Sequence, residues 1–178
     1  MFKEERKESN FTWENLGDVE LGRPNLGFLT DVRVYRLMQF TLRDVLIKYY
    51  GVEQTNKIIQ EAGYVAGKHF CRNLLNKQLD FNAFIENLRK VLLDLNIGIL
   101  RVEKADIENM HILLTVSEDL DCSGLPVTDE TVCDYDEGFL TGILKEYSGK
   151  DYSVKEIDCW SNGDRVCRFE IKPLGKDA

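Results

Sequence analysis

The chain has 178 residues, of which 43% are hydrophobic and 30% are charged, as is typical of a single globular domain with a sizeable core. Its formal net charge is −8. This acidity argues against general nucleic-acid binding, which needs a basic face to displace counterions, and against an anionic membrane surface as the main partner.

The sequence also bears on the cellular compartment. No apolar run approaches the roughly 18 residues that span a bilayer. The charged N-terminus lacks the apolar core of a secretion signal. We therefore expect a cytoplasmic protein, in which the five cysteines are thiols or metal ligands rather than a disulfide framework.

Residues 1–30 are predicted to form an N-terminal arm. The first ten residues are mostly charged or polar, which indicates a solvated tail or a frayed first turn. Over residues 11–29, apolar side chains are interspersed with glycine and proline, which favours one short strand or an extended segment followed by a loop. We expect these apolar side chains to pack on another surface, such as that of a partner subunit.

Apolar residues at helical spacing predict three helices after the arm. The first begins at Thr30 or Asp31, which are suitable capping residues, and ends at Gly51. The second covers about residues 53–77, and the third covers about residues 80–95.

Two pairs of glycines occur inside predicted helices. Gly63 and Gly67 lie four residues apart in the second helix. Gly138 and Gly142 repeat this spacing in a fourth helix, predicted to run from residue 131 or 132 to residue 147. Glycine in a helix interior costs about 1 kcal/mol relative to alanine, so we expect these positions to allow close approach of another backbone.

A change of the apolar period from 3.6 to 2 predicts strands. The four strands cover about residues 97–102, 110–116, 152–160 and 165–172. The fold class is therefore α+β, with an antiparallel four-stranded sheet packed against about four to five helices. We assign residues 31–172 to this single domain and residues 173–178 to a C-terminal tail.

Three cysteines and one glutamate fall where the fourth helix meets the last two strands. Cys133 lies at the N-terminus of that helix, where a thiolate is stabilised. Cys159 and Cys167 flank the last turn, and Glu156 comes three residues before Cys159. Thiolate sulfur together with a carboxylate oxygen is a plausible tetrahedral zinc set, so our central hypothesis is one zinc ion held by these four side chains.

The turn itself counts against this hypothesis. Asn162-Gly163 is the strongest short hairpin signal in the chain. A strict two-residue turn would place Cys159 on the sheet face opposite Glu156 and Cys167. A shared metal therefore requires a bulge or a wider loop, and buried free thiols remain the alternative on spacing alone.

The C-terminal third of the chain carries a family resemblance. Its residues are Cys133-x4-Gly138-x3-Gly142, Gly149, and Glu156-x2-Cys159-x3-Gly163-Asp164-x2-Cys167-x-Phe169. This pattern resembles the signature of the 4-vinyl reductase domain family. That family includes a protein tied to bacteriochlorophyll synthesis, sensor modules of aromatic-responsive transcription activators, and stand-alone archaeal and bacterial proteins.

The resemblance implies a ligand set and an assembly. In the aromatic sensors, three cysteines and a glutamate hold a zinc ion, and here they correspond to Cys133, Glu156, Cys159 and Cys167. The resemblance also implies a fold shared with heme-based nitric-oxide sensor domains and with transport-particle (TRAPP) subunits. Because this fold commonly dimerises through its N-terminal helices, a homodimer is expected.

The two remaining cysteines are interpreted as ordinary thiols. Cys122 lies outside the implied ligand set, although it could substitute for a ligand. Cys71 follows a segment, beginning at Gly63, that is similar to an early helix of the trafficking subunits, where a nearby cysteine can carry an acyl chain. A core thiol is the preferred interpretation. Heme is not expected, because neither His69 nor His111 lies in a heme-ligand motif.

Three functions follow from these observations. The first is a sensor-type domain with a structural zinc that binds a hydrophobic or aromatic molecule in an apolar pocket. The second is a reductase-type enzyme or accessory subunit in tetrapyrrole metabolism, and the third is an assembly subunit of the trafficking type. Without a nucleophile–base pair or a glycine-rich dinucleotide loop, we expect binding rather than catalysis. Candidate pocket walls, for which ordinary core packing is the alternative, are Tyr64, Phe70, Phe84, Ile112 and Leu114.

Overall fold

The computed structural model describes residues 11–106, 109 and 111–174. The predicted tail at residues 1–10, the end of the predicted C-terminal tail and parts of the turn before residue 111 lie outside the described residues. Contacts divide the chain between Asp31 and Val32 into two compact units.

The first unit contains short helical turns instead of the predicted strand. A 3-10 helix covers Trp13–Leu16, and α1 covers Val19–Gly22. The Asp18 carboxylate caps α1 by accepting a hydrogen bond from the Leu21 backbone N–H at 2.9 Å. Because such caps satisfy the first N–H groups locally, the segment folds into turns without a neighbouring strand, and the strand prediction is wrong.

The second unit begins with α2, Val32–Leu74. The helix is interrupted at Gly51, where φ is 76° and ψ is 168°. This positive φ is readily adopted only by glycine, so the predicted end of the first helix at Gly51 is confirmed. We call residues 32–50 the first half of α2 and residues 52–74 its second half.

The second half of α2 packs on α4, Asp134–Ser148, through backbone contact. A Cβ atom added to Gly67 would collide with the carbonyl group of Phe139, and one added to Gly142 would collide with that of Tyr64. Gly63 and Gly138 are equally close to the opposite helix. The close approach predicted for the two glycine pairs is therefore confirmed.

The remaining helix, α3, covers Phe81–Asp94 and is capped by Asp80, whose carboxylate accepts a hydrogen bond from the Ala83 N–H at 3.0 Å. Its buried residues recur at helical spacing: Phe84, Ile85, Leu88 and Leu92. They form part of the core on the inner face of the sheet. Among the described residues, no helix is both long and apolar enough to cross a membrane.

The sheet is antiparallel and has the order β1-β2-β4-β3. Its strands are β1 (Ile99–Asp106), β2 (His111–Ser117), β3 (Tyr152–Asp158) and β4 (Cys167–Pro173). Alternate residues of the central strands β2 and β4 are fully buried, among them Ile112, Leu114, Phe169 and Ile171. The predicted α+β class with a four-stranded antiparallel sheet is confirmed.

The connection between β3 and β4 is wider than a two-residue turn. A 3-10 turn covers Trp160–Asn162, and Gly163 follows with a φ of 97°. The pairing register also shifts between Glu156 and Asp158. This irregularity changes which sheet face each side chain lies on. It is the wider loop that Glu156, Cys159 and Cys167 need in order to share one site.

Candidate metal centre

Four cysteine sulfurs meet at one end of the sheet. Cys122 lies in the loop after β2, Cys133 caps α4, Cys159 follows β3, and Cys167 begins β4. All four residues are buried, and one ligand atom from each lies within 4.8 Å of the others. The β2–α4 connection, the N-terminus of α4 and the β3–β4 connection thus converge on one small volume.

Two of the sulfur separations match those of a tetrahedral metal site. The Cys133 sulfur lies 3.7 Å from that of Cys167 and 3.8 Å from that of Cys159. A tetrahedral ion with metal–sulfur bonds of about 2.3 Å places its sulfurs about 3.8 Å apart. The Cys122 and Cys167 sulfurs are closer, at 2.9 Å.

Glu156 adds an unsatisfied oxygen to this group. Its Oε2 accepts a hydrogen bond from the Cys133 backbone N–H at 3.4 Å, but its buried Oε1 receives none from the described residues. Burial raises the pKa of the Glu156 carboxyl to about 8. A buried carboxylate oxygen without a donor is costly, and a bound cation would stabilise the ionised form of the carboxyl group.

The thiols influence one another strongly. Hydrogen bonds from Cys122, Cys133 and Cys167 hold the pKa of Cys159 well below its usual range, because they stabilise a thiolate there. The contact with Cys122 raises the pKa of Cys133 and of Cys167 far above the usual range. A thiolate stabilised by hydrogen bonds from neighbouring thiols is the form of cysteine that binds a metal.

Carboxylates surround the sulfurs on the α4 side. Burial raises the pKa of Asp119 to about 6 and that of Asp136 well above its usual range. The Asp136 Oδ2 is buried and has no hydrogen-bond donor among the described residues. Asp119, Cys133 and Asp136 form a second group whose ligand atoms lie close together. So many acidic groups in one buried volume favour a bound cation.

The structure brings the three predicted cysteine ligands, Cys133, Cys159 and Cys167, into one group. The fourth predicted ligand, Glu156, lies beside this group, with its Oε2 3.4 Å from the Cys133 backbone nitrogen. The structure also places Cys122, which the sequence analysis left outside the set, inside the cluster. The strand register accounts for this position. Val116 at the end of β2 pairs with Cys167, so a cysteine in the loop that follows β2 starts close to that residue.

The candidate pocket walls fall in two places. Tyr64 lines an open cavity of about 390 Å³ between α2 and β3. Phe84, Ile112 and Leu114 are buried in the core, where the Phe84 ring stacks on that of Tyr147 at a centroid distance of 3.8 Å. Phe70 packs edge-on against Phe139. The four candidates other than Tyr64 therefore make ordinary core contacts.

A second cavity, of about 340 Å³, lies beside the cysteine cluster. Its walls combine apolar residues with three charged ones, Arg43, Asp44 and Glu130; the apolar residues are Phe40, Ile47, Leu125, Pro126 and Val132. Ser161 also lines it, and the Ser161 hydroxyl lies 3.1 Å from the Cys159 sulfur. We call this cavity the metal-side groove.

Cys71 and His111 lie away from the cluster. Cys71 is fully buried in α2, and burial raises its pKa to about 11, so it is held as a protonated thiol. His111 is partly exposed, and its ring lies 2.9 Å from the Glu170 carboxylate.

Known proteins resemble this chain in sequence. The family model of the 4-vinyl reductase domain matches residues 112–173, the stretch that holds Cys122, Cys133, Glu156, Cys159 and Cys167. An uncharacterized protein of Methanocaldococcus jannaschii is 31% identical over 147 residues, which are 83% of this chain and 80% of that protein.

Two solved structures have the same fold. A vinyl-4-reductase family protein from Methanocaldococcus jannaschii matches with a TM-score of 0.60 and 22% identity, over 84% of this chain and 85% of that chain. The phenol-responsive sensory domain of the transcription activator PoxR, solved with phenol, matches with a TM-score of 0.62 and 17% identity, over 84% and 77% of the two chains.

The wider fold relationships expected from the sequence are also confirmed. A trafficking protein particle complex subunit 3 from Naegleria fowleri, covalently bound to palmitic acid, matches with a TM-score of 0.66 and 13% identity, over 81% of this chain and 95% of that chain. An H-NOX protein from S. oneidensis matches with a TM-score of 0.52 and 12% identity, over 77% and 74%. At these identities the likeness concerns the fold.

Proposed function

The chain belongs to the 4-vinyl reductase domain family, and from this premise we propose that residues 31–172 form a sensor-type domain that binds a small molecule and contains a structural zinc. The observation that carries the proposal is the buried group of cysteine sulfurs beside the unsatisfied Glu156 oxygen. The phenol-responsive sensory domain of PoxR, which has the same fold, supports the sensing role.

The proposed zinc ligands are Cys133, Cys159, Cys167 and Glu156. Zinc would supply positive charge that compensates the buried thiolates and the carboxylate, and it would join the start of α4 to β3 and β4. Four protein ligands leave no open coordination position, so a zinc ion held by these residues would be structural rather than catalytic. Free thiols in this number suit a reducing compartment such as the cytoplasm.

The proposed small-molecule ligand is hydrophobic or aromatic. Binding sites are concave, mostly apolar and about 300–1,000 Å³ in volume, and the metal-side groove, at about 340 Å³, falls within this range. Its apolar walls come from the first half of α2 and from the loop before α4. The polar Arg43 at its edge is held by Asp134 at 2.8 Å, beside Cys133.

A homodimer is proposed through the first half of α2. Apolar side chains at helical spacing are exposed along this segment: Val34, Leu37, Met38, Leu42, Val45 and Tyr49. A continuous exposed apolar stripe marks an interaction surface rather than a solvated helix face. A sensor without an output module in the described residues passes its signal through such a surface.

The test compares Cys167→Ser with Cys71→Ser, a buried cysteine outside the cluster. We expect the wild type and Cys71→Ser to retain zinc through gel filtration, and Cys167→Ser to lose it. Phenol, as the probe, should raise the melting temperature of the zinc-bound wild type in a concentration-dependent way. Equal zinc retention by both variants would contradict the metal site, and no response to phenol or larger aromatic probes would contradict the ligand class.

A further inference from the structure

We propose that Cys122 is itself a ligand of the metal, so that the ion is held by four thiolates with Glu156 beside them, and that the Cys122 loop couples metal binding to the first half of α2. This inference rests on the proposed metal centre and revises its fourth ligand.

The position of the Cys122 sulfur is the first argument. It is fully buried and lies 2.9 Å from the Cys167 sulfur, which places it inside the group. This is closer than the roughly 3.8 Å between two sulfurs of a tetrahedral site, so shared metal binding would draw these two sulfurs apart. With Cys133 and Cys159, these residues offer four sulfurs within 4.8 Å of one another. Four sulfurs converging in this way match the four-cysteine structural zinc site, which needs no carboxylate.

Backbone hydrogen bonds fix the loop that carries this sulfur. The Asp119 Oδ1 accepts hydrogen bonds from the backbone N–H groups of Asp121, at 2.8 Å, and Cys122, at 3.0 Å. The Leu120 N–H donates to the Ile97 carbonyl at 2.8 Å. Because the backbone on the N-terminal side of Cys122 is fixed, binding through this residue requires little ordering, which favours affinity.

The first half of α2 forms hydrogen bonds to the same loop. The Tyr35 hydroxyl and the Gln39 amide each donate a hydrogen bond of 2.8 Å to the Asp121 carboxylate. Arg36 donates to the carbonyl of Leu120 at 2.7 Å. One helical face thus contacts the two residues that immediately precede Cys122.

An ion pair connects the first half of α2 to the other side of the cluster. Arg43 forms an ion pair of 2.8 Å with Asp134, the residue that follows Cys133. Gly51 interrupts α2 and separates its first half from the second. The first half is therefore attached to two ligand-bearing segments, 119–122 and 133–134. Metal bound between these segments would fix the helix that carries the exposed apolar stripe.

The ligand set is tested with Co²⁺ in place of zinc, since thiolate-to-cobalt absorption grows with the number of bound sulfurs. We expect a four-thiolate spectrum in the wild type and a weaker band in Cys122→Ser, with metal affinity reduced by more than about tenfold. Glu156→Gln should leave the band intensity unchanged. The wild-type spectrum alone distinguishes four from three thiolates if Cys122→Ser does not fold.

Two outcomes would overturn different claims. A three-thiolate wild-type spectrum that Cys122→Ser leaves unchanged would remove Cys122 from the site, while the proposed metal centre would stand. Absence of cobalt and zinc binding by the folded wild type would instead remove the metal centre itself.

The coupling is tested by amide hydrogen exchange over residues 32–50, with zinc bound and after chelation. We expect zinc to slow exchange there in the wild type, and Tyr35→Phe to reduce this difference. Tyr50→Phe, at an exposed tyrosine of the same segment, is the matched control and should retain it. Zinc protection confined to residues 119–134, with none over 32–50, would contradict the coupling.

Discussion

The α2–α4 interface and the cysteine cluster share helix α4 but are stabilised in opposite ways. At the interface, glycines bring two backbones together, and dispersion and apolar burial need no further partner. At the cluster, α4 begins among thiols and carboxylates, two of whose buried oxygens, on Asp136 and Glu156, have no donors among the described residues. The difference is that the interface is complete within the chain, whereas the cluster has the side chains that could hold a metal ion.

Of the changes considered, removal of the metal should have the largest effect on stability, and it should act on the cluster rather than on the α2–α4 interface. Chelation is expected to lower the free energy of unfolding by about 4 kcal/mol, if the free zinc concentration was a thousand times its dissociation constant. The physical reason is that only the folded chain assembles the ligands. Calorimetry of zinc-bound and chelated protein measures this, and identical melting temperatures would contradict it.

Gly67→Ala should destabilise the interface by about 3 kcal/mol, because the new methyl group collides with the Phe139 carbonyl and the helices must separate. Urea unfolding measures the loss, which should be the same with zinc and with chelator. Glu61→Ala, exposed in the same helix, is the control and should remain within about 0.5 kcal/mol of wild type. A loss that disappears on chelation would mean that the two regions are not independent.

Glu137 lies where the two regions meet. Its buried carboxylate accepts hydrogen bonds from the Gln60 side chain at 2.9 Å and from the Glu156 backbone N–H at 2.8 Å. Glu137→Ala leaves both donors without this acceptor and should cost about 2 kcal/mol. It should also weaken zinc binding by about tenfold, since it releases the strand segment that carries Glu156. Unchanged zinc affinity would show that the cluster is positioned without Glu137.

The smallest expected effect is electrostatic. Hydrogen bonds from Arg72 and then Lys77 lower the pKa of Glu146 to about 2. A carboxylate whose pKa is lower in the folded state stabilises the protein above its unfolded value of about 4.5, and this stabilisation is lost as the pH falls towards 2. Glu146→Gln should therefore cost about 1 kcal/mol at neutral pH, since the partners are partly exposed.

The pH dependence makes this prediction specific. The stability difference between wild type and Glu146→Gln should shrink between pH 4.5 and 2, as followed by urea unfolding at each pH. A difference that stays constant over this range would mean that the ion pairs with Arg72 and Lys77 contribute nothing.

Periodicity explains why much of the fold was predictable. Helix α3 and the four strands follow their apolar patterns, and Gly51 marks the break in α2 because its φ is positive. The arm at 11–31 was not predictable in this way, since its short turns depend on local caps such as Asp18. Such caps leave no periodic signal.

The candidate site was predictable only in part. Cys133, Cys159 and Cys167 fall at element ends, which their spacing indicates. The wider loop that brings Cys159 to the others depends on Gly163 and a register shift, and Asn162-Gly163 alone favours the tighter turn. Cys122 lies in an irregular loop, where its backbone N–H donates a hydrogen bond to Asp119. Because an irregular loop has no periodic apolar pattern, the sequence does not predict where Cys122 lies in the fold.

The most direct test of the metal centre is the metal content per chain of the folded wild type, purified without a histidine tag and measured by elemental analysis. We predict about one zinc ion per chain, coordinated chiefly by thiolates. A stable, folded protein without zinc, iron or another metal would contradict this account, and the cysteines would then be buried thiols of the core.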